Sequence, residues 1–188
     1  DMFSALFHND QAMLTVITIV LINSALYITS NLILYFFKYD LGTELWKNNY
    51  TLFTTIGGAT QILGMMVLYP VLRNKLSNTT IFKTSLCMAI LGYALLLFAS
   101  FMNLAHNMAV LCLIGALVFS ANGMLSVLTT VFLSTSVDYG EMKTGRREES
   151  VIFSMQTFVV KAASGLAVFL TGIGLDMIGL VGNSEDGI

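Results

Sequence analysis

The chain has 188 residues, of which 56% are hydrophobic and only 11% are charged, with a net charge of −2. Soluble globular domains carry roughly 25% charged residues, so these proportions exclude a soluble domain. The shortage of clustered Lys and Arg excludes a nucleic-acid interface, and a single proline without Ser- or Pro-rich tracts excludes a disordered linker. Cys87 and Cys112 both fall inside apolar runs and read as buried thiols, with neither disulfide nor metal spacing. No signal peptide is expected. The opening aspartate and the polar tail suggest an internal portion of a longer protein.

Five apolar runs are each long enough to cross a hydrocarbon core of about 30 Å as a helix. They cover residues 12–37, 51–72, 81–101, 108–136 and 150–175. The first holds Asn23, Tyr27 and Tyr35, and Tyr39 follows it; Tyr39, Trp46 and Tyr50 suit an aromatic belt at one interface. The second ends near Pro70 and Arg73, and the third is featureless. The fourth holds Asn122; like Asn23, it reads either as an interhelical hydrogen bond or as a contact to a bound ligand. His8 and His106 have no partner spaced for metal binding or catalysis.

The cations set the orientation. Arg73, Lys75, Lys83, Lys143, Arg146 and Arg147 lie beside the loops after the second and fourth runs, against only Lys38 and Lys47 on the other side. Because cytoplasmic loops carry the Lys/Arg excess, residues 1–11 and both basic loops are expected in the cytoplasm and residues 181–188 outside. The loop expected over residues 137–149 is unusual in interleaving both signs. It reads as a solvated loop or as a gate whose ion pairs form in one state and break in another.

The fifth run contains Lys161, eleven residues in from Ser150, at a depth of about 16 Å and close to the bilayer middle. A mid-membrane ammonium usually lines a cavity or meets a carboxylate, and none of the five runs carries Asp or Glu in its interior. A counter-charge is therefore expected from a missing part of the protein. At 100° per residue, Ser154, Thr157, Lys161 and Ser164 share one face within about 100° of arc. That polar face reads as a solvated substrate or ion cavity. A helix–helix interface held by Ser, Thr and the small residues Ala162, Ala163 and Gly165 is the plainer alternative.

The stretch Asp138-Tyr139-Gly140-Glu141, then Lys143, Glu149-Ser150, Gln156-Thr157 and Val159-Val160-Lys161, resembles the signature of the glycoside–pentoside–hexuronide:cation symporters. These belong to the major facilitator superfamily. Asn9-Asp10-Gln11 before the first run and Tyr35-Phe36-Phe37 at its end extend the resemblance over the whole chain, and Met142 departs from it where many members carry an aromatic residue. The resemblance implies an all-α integral membrane protein, with residues 1–188 forming part of the C-terminal half of a twelve-helix transporter in the bacterial inner membrane. It implies that Lys161 lies by a cation site near aspartates of the N-terminal half, and that Gln156 and Thr157 line the sugar side of a cavity that Ser154 shares. Asp138, Tyr139, Glu141, Lys143 and Glu149 would belong to a cytoplasmic gate, with Arg146 and Arg147 as candidate partners of its acids. The expected function is symport of a glycoside, pentoside or hexuronide with Na⁺ or H⁺ by alternating access. The expected partners are a sugar, the lipid bilayer and the N-terminal half, with no resident cofactor, metal or nucleic acid. The rival classes are a membrane enzyme, a channel and a non-transporting scaffold. The runs offer an enzyme no nucleophile–base pair or metal ligands at bilayer depth, and one lysine per chain suits a cation channel poorly.

Overall fold

A computed structural model describes residues 10–40, 44–102, 107–145, 147, 149–177 and 179. In chain order these form α1 (Asp10–Tyr35), a π-helical turn π1 (Phe36–Asp40), α2 (Trp46–Leu63), a second π turn π2 (Gly64–Leu68), α3 (Tyr69–Arg73), α4 (Asn78–Phe101), α5 (Met108–Thr144) and α6 (Glu149–Met177). Among the described residues there is no strand. Five spans are long and apolar enough to cross a membrane: Asp10–Tyr39, Trp46–Arg73, Asn78–Phe101, Met108–Thr144 and Glu149–Met177. Each contains one of the five expected runs. Asn9, Arg146, His8, His106 and residues 181–188, all named above, lie outside the described residues.

The largest departure is in the segment expected as a loop over 137–149. The helix runs on through Thr144 and stops only where Gly145 turns left-handed at φ 70°, its N–H donating to the Glu141 carbonyl at 2.8 Å. No proline lies between Ser136 and Gly145 and Gly140 costs the helix only about 1 kcal/mol, so the charges that end the apolar run do not end the coil. A 37-residue helix is about 55 Å long, longer than the bilayer with its headgroups. Its last two turns, carrying Asp138, Glu141 and Lys143, therefore project beyond the hydrocarbon.

The contacts divide the chain into two compact units. The first joins α1, as far as Ile33, to Phe132 onward. Its core interlocks Ala12, Val16 and Ile19 of α1 with Leu133 and Val137 of α5 and Ile152 and Met155 of α6. Inside it the Thr15 and Ser136 hydroxyls meet at 2.8 Å, which pairs two polar groups that hydrocarbon would leave unsatisfied.

The second unit runs from Leu34 to Val131. Phe37, Phe53 and Phe119 pack as an aromatic relay, with ring centroids 5.1 and 5.7 Å apart. Beyond them α2 and π2 approach α5 backbone to backbone. A methyl at Gly64 would lie 2.6 Å from the Ser120 carbonyl oxygen, and one at Gly123 would lie 2.4 Å from that of Gln61. π2 also has a local cause in Pro70, which lacks an N–H and would clash with the carbonyl four residues back. A π turn passes its bonds from residue i to i+5, as Tyr69 N–H does to the Gly64 carbonyl, and so widens the coil ahead of the proline. α4 is capped by Ser77, whose backbone is extended and whose hydroxyl oxygen accepts the Thr80 N–H at 3.3 Å. Ser77→Ala is expected to lower stability by about 1 kcal/mol, read as a lower melting midpoint in detergent. At the opposite end of the spans, Tyr39 stacks on Tyr35, and Lys38 and Lys47 lie over Tyr39 and Trp46. Such amphipathic rings suit a membrane–water interface.

Candidate functional site

Two constellations carry the chemistry, one on α6 and one where α5 gives way to α6. Along α6 the buried residues are Ile152, Met155, Ala163, Ala167, Thr171 and Leu175, with Val159 and Val160 packed on the same core. Counting 100° per residue, Lys161 lies about 180° from Ile152. The packing of the unit therefore points the ammonium away from the core. Ser154 and Thr157 share its exposed face, and Ser164 is half-buried at its edge. The Thr157 hydroxyl donates to the Phe153 carbonyl at 2.9 Å and the Ser164 hydroxyl to the Lys161 carbonyl at 2.8 Å. These local bonds satisfy the hydroxyl hydrogens and leave the oxygen lone pairs open. Gln156 is half-buried and lies towards the packed side, about 140° round from Lys161. Spacing thus groups Ser154, Thr157 and Lys161, and does not bring Gln156 onto their face.

Among the described residues Lys161 makes no ion pair. It stands twelve residues into α6, about 18 Å along the helix. Val168 and Phe169 are exposed on the chain, whereas Val159 and Val160 are partly buried against the core.

The second constellation is ionic. Asp138 and Glu141 are three residues apart and share one face of the projecting end of α5. Gly145 reverses the chain there, and Arg147 folds back over both. Its Nη1 lies 3.0 Å from Asp138 Oδ1 and 2.9 Å from Glu141 Oε2, and its Nε lies 3.1 Å from Glu149 Oε2. The dipole of α6 favours the acid Glu149 at its start, while Asp138 and Glu141 stand at the negative end of α5, where the Arg147 cation offsets their repulsion. The hydrogen bond to Glu141, then those to Glu149 and Asp138, raise the guanidinium above its ordinary range. It stays charged at any physiological pH. Beside it, Arg147, Glu149, Ser150 and Phe153 line an open hollow of about 520 Å³.

Lys143 is not part of this clasp: its Nζ pairs with Asp10 Oδ2 at 3.3 Å, tying the end of α5 to the first residue of α1. Sequence reasoning placed Asp10 in the Asn9-Asp10-Gln11 motif but gave it no role in the gate. Tyr139 is half-buried outside the ion cluster. Of the two arginines offered as partners for the acids, Arg147 is in contact with them, and Arg146 lies outside the described residues. Among the described residues no three His, Cys, Asp or Glu side chains are placed to hold a metal ion.

Residues 1–187 match the family model described as MFS/sugar transport protein. The chain is 28% identical to the lactose permease of Lactobacillus helveticus over 188 residues, covering 98% of this chain and 27% of that protein. It is 30% identical to an uncharacterized symporter, YjmB, of Bacillus subtilis (strain 168) over 182 residues, covering 95% of this chain and 37% of the relative. It is 25% identical to the raffinose carrier protein of Pediococcus pentosaceus over 175 residues, covering 92% and 25% respectively. The chain thus spans well under half the length of these relatives. The resemblance carried by Asp138–Lys161 is borne out, and five membrane-crossing helices with bacterial relatives of this kind place the chain in the bacterial inner membrane. This all-α chain belongs to the MFS/sugar transport protein family of the major facilitator superfamily.

Proposed function

We propose that the chain is part of the C-terminal half of a secondary active symporter that carries a glycoside, pentoside or hexuronide together with Na⁺ or H⁺. The observation that carries this reading is Lys161: a mid-span ammonium on the exposed face of α6, with Ser154 and Thr157 beside it and no ion pair among the described residues. Such a group needs a carboxylate or a wet cavity, and a transporter supplies both at the interface of its two halves. Lys161 would stand by the cation site, facing carboxylates of an N-terminal half. Ser154 and Thr157, with Gln156 at the flank, would offer hydrogen bonds to sugar hydroxyls. Cation and sugar would each favour the other's binding, a reciprocal free energy, and the halves would then rock around the shared site. This is carriage rather than catalysis: the chemistry needs no bond broken.

The Arg147 clasp and the Lys143–Asp10 pair would form the cytoplasmic gate, with residues 1–11 on that side. Asp138, Glu141 and Glu149 are solvated, so the clasp contributes little to folding and much more to the balance between states. Arg147→Gln is therefore expected to leave the melting midpoint nearly unchanged. It should also raise severalfold the rate at which a maleimide applied from the cytoplasmic side labels a Ser154→Cys reporter.

The test of the function is uptake of labelled glycosides, pentoses and hexuronates by vesicles containing the full-length protein, under imposed Na⁺ or H⁺ gradients. Accumulation driven by one gradient is the expected result. Uptake that ignores both gradients would remove the coupling, and no uptake of any sugar would favour a channel or a non-transporting scaffold.

A further inference from the structure

The basic residues of the chain divide by what meets them. Lys38 and Lys47 lie over aromatic rings, and Lys143 and Arg147 meet carboxylates. Arg73, Lys75 and Lys83 are all exposed, and among the described residues they make no ion pair. The acids of their own unit lie far away. The sequence holds no Asp or Glu between Glu44 and Asp138, and Asp40 and Glu44 precede α2. The 28 residues of Trp46–Arg73 put about 42 Å of helix between those two acids and Arg73. The cations are also partly ordered: Arg73 Nη1 donates to the Leu76 carbonyl at 3.4 Å, which holds the guanidinium at the turn between α3 and α4.

The packing of α4 decides what lies beside them. Its buried residues Ile81, Ser85, Ala89, Gly92, Leu96 and Ala99 form one stripe, and Lys83 stands almost opposite to it. Within about 100° of arc around Lys83 come Cys87, Ile90, Leu97, Phe98 and Phe101, all exposed. Cys87, expected from the sequence to be buried, thus belongs to the outer face of the helix. Ile90 is 67% and Phe101 86% exposed, and no charged group or hydroxyl interrupts this arc beyond Lys83. Such a face suits hydrocarbon, unlike the face of α6 that carries Ser154, Thr157 and Lys161. Lys83 lies five residues beyond Asn78, about 7.5 Å along α4. Its stem can therefore follow the acyl chains while its ammonium snorkels back to the headgroups.

We propose that Arg73, Lys75 and Lys83, with the outer face of α4, form a binding site for an anionic phospholipid of the cytoplasmic leaflet. The headgroup phosphate meets the cations, and an acyl chain lies along Cys87, Ile90 and Leu97. The start of α4 carries the positive end of the helix dipole, which adds potential of the same sign. A zwitterionic lipid brings a cation of its own to this place, so it gains much less from the cluster. An anionic headgroup on an apolar tail is the ligand that uses both the charges and the stripe.

The experiment uses the full-length protein with Cys87 as its sole cysteine, labelled with bimane and reconstituted in phosphatidylcholine vesicles. Phosphatidylglycerol or phosphatidylcholine bearing a nitroxide on one acyl chain is added as a minor component, and quenching of the bimane gives their relative binding constant. Phosphatidylglycerol should be preferred by more than about tenfold, at roughly fivefold per cation beside an anionic headgroup. Arg73→Gln, Lys75→Gln and Lys83→Gln combined should bring the two lipids level. Lys83→Arg, which keeps the charge, should preserve the preference, as should Lys38→Gln with Lys47→Gln at the other end of the spans. All five positions are exposed, so these variants should fold. Equal quenching by the two lipids with every cation in place overturns the inference, as does a preference that survives the triple substitution. Absence of quenching by either lipid also overturns it, because protein rather than lipid would then cover the outer face of α4.

Discussion

Vesicles carrying Lys161→Ala in the full-length transporter are expected to lose concentrative sugar uptake while retaining normal amounts of inserted protein. Lys161 sits on the exposed face of α6, opposite Ile152 and clear of the core, so removing its side chain opens no cavity in the first unit. A charge at mid-bilayer depth costs roughly 2.5–3.5 kcal/mol on insertion scales, so alanine relieves a penalty where lysine held one. What is lost is the differential contact through which cation and sugar sense each other. Couplings of this kind are typically 1–3 kcal/mol, which corresponds to about 5- to 150-fold in affinity. Accumulation against a gradient should therefore collapse, while sugar exchange at equal concentrations survives in part. If accumulation is unchanged, the lysine is packing and the coupling site lies elsewhere. A sharp fall in inserted protein would instead indicate that Lys161 is paired in the folded transporter and that its partner had been left unpaired and buried. Thr157→Val on the same face should weaken sugar affinity without uncoupling, since it removes a hydroxyl and no charge.

The second large effect is structural. Gly64→Ala and Gly123→Ala should each strongly reduce the yield of folded protein, whereas Gly58→Ala should not. Methyls at Gly64 and Gly123 would meet the carbonyl oxygens of Ser120 and Gln61, at 2.6 and 2.4 Å. Backbone cannot swing aside as a side chain can, so the helices must separate. Overpacking of this kind costs about 1–3 kcal/mol or more, which outweighs the ~1 kcal/mol that alanine gains over glycine in a helix. At Gly58 nothing lies within 4 Å of the added methyl, so only the propensity gain remains. Melting curves of the three variants in one detergent decide the matter; equal midpoints would show that α2 and α5 do not approach this closely.

Several features were legible in the residues because they depend only on what lies along the chain. The five spans follow from the length of apolar runs, the depth of Lys161 from counting residues, and the shared face of Ser154, Thr157 and Lys161 from helical periodicity. The family could be read from Asp138–Lys161, since its motif is local. The end of α5 was misread because hydropathy reports where the membrane stops, while the helix stops only where the backbone must turn, at Gly145. Asn23 and Tyr27 stood out singly in the apolar run, and only the core formed by Ala12, Val16 and Ile19 shows which stripe of α1 they extend.

Composition and periodicity alone determined that this is a membrane protein of five helices with a charge in its middle, because the cost of polar groups in hydrocarbon constrains every residue of a span. Only the tertiary structure decided that Arg147 clasps Asp138, Glu141 and Glu149, and that Lys143 reaches Asp10. It also decided that α2 and α5 meet through Gly64 and Gly123. The Lys143–Asp10 pair joins residues 133 positions apart and the glycine contacts join different helices, which no local pattern encodes, while the clasp spans few positions but depends on the turn at Gly145. They are settled by which helix faces can come into contact.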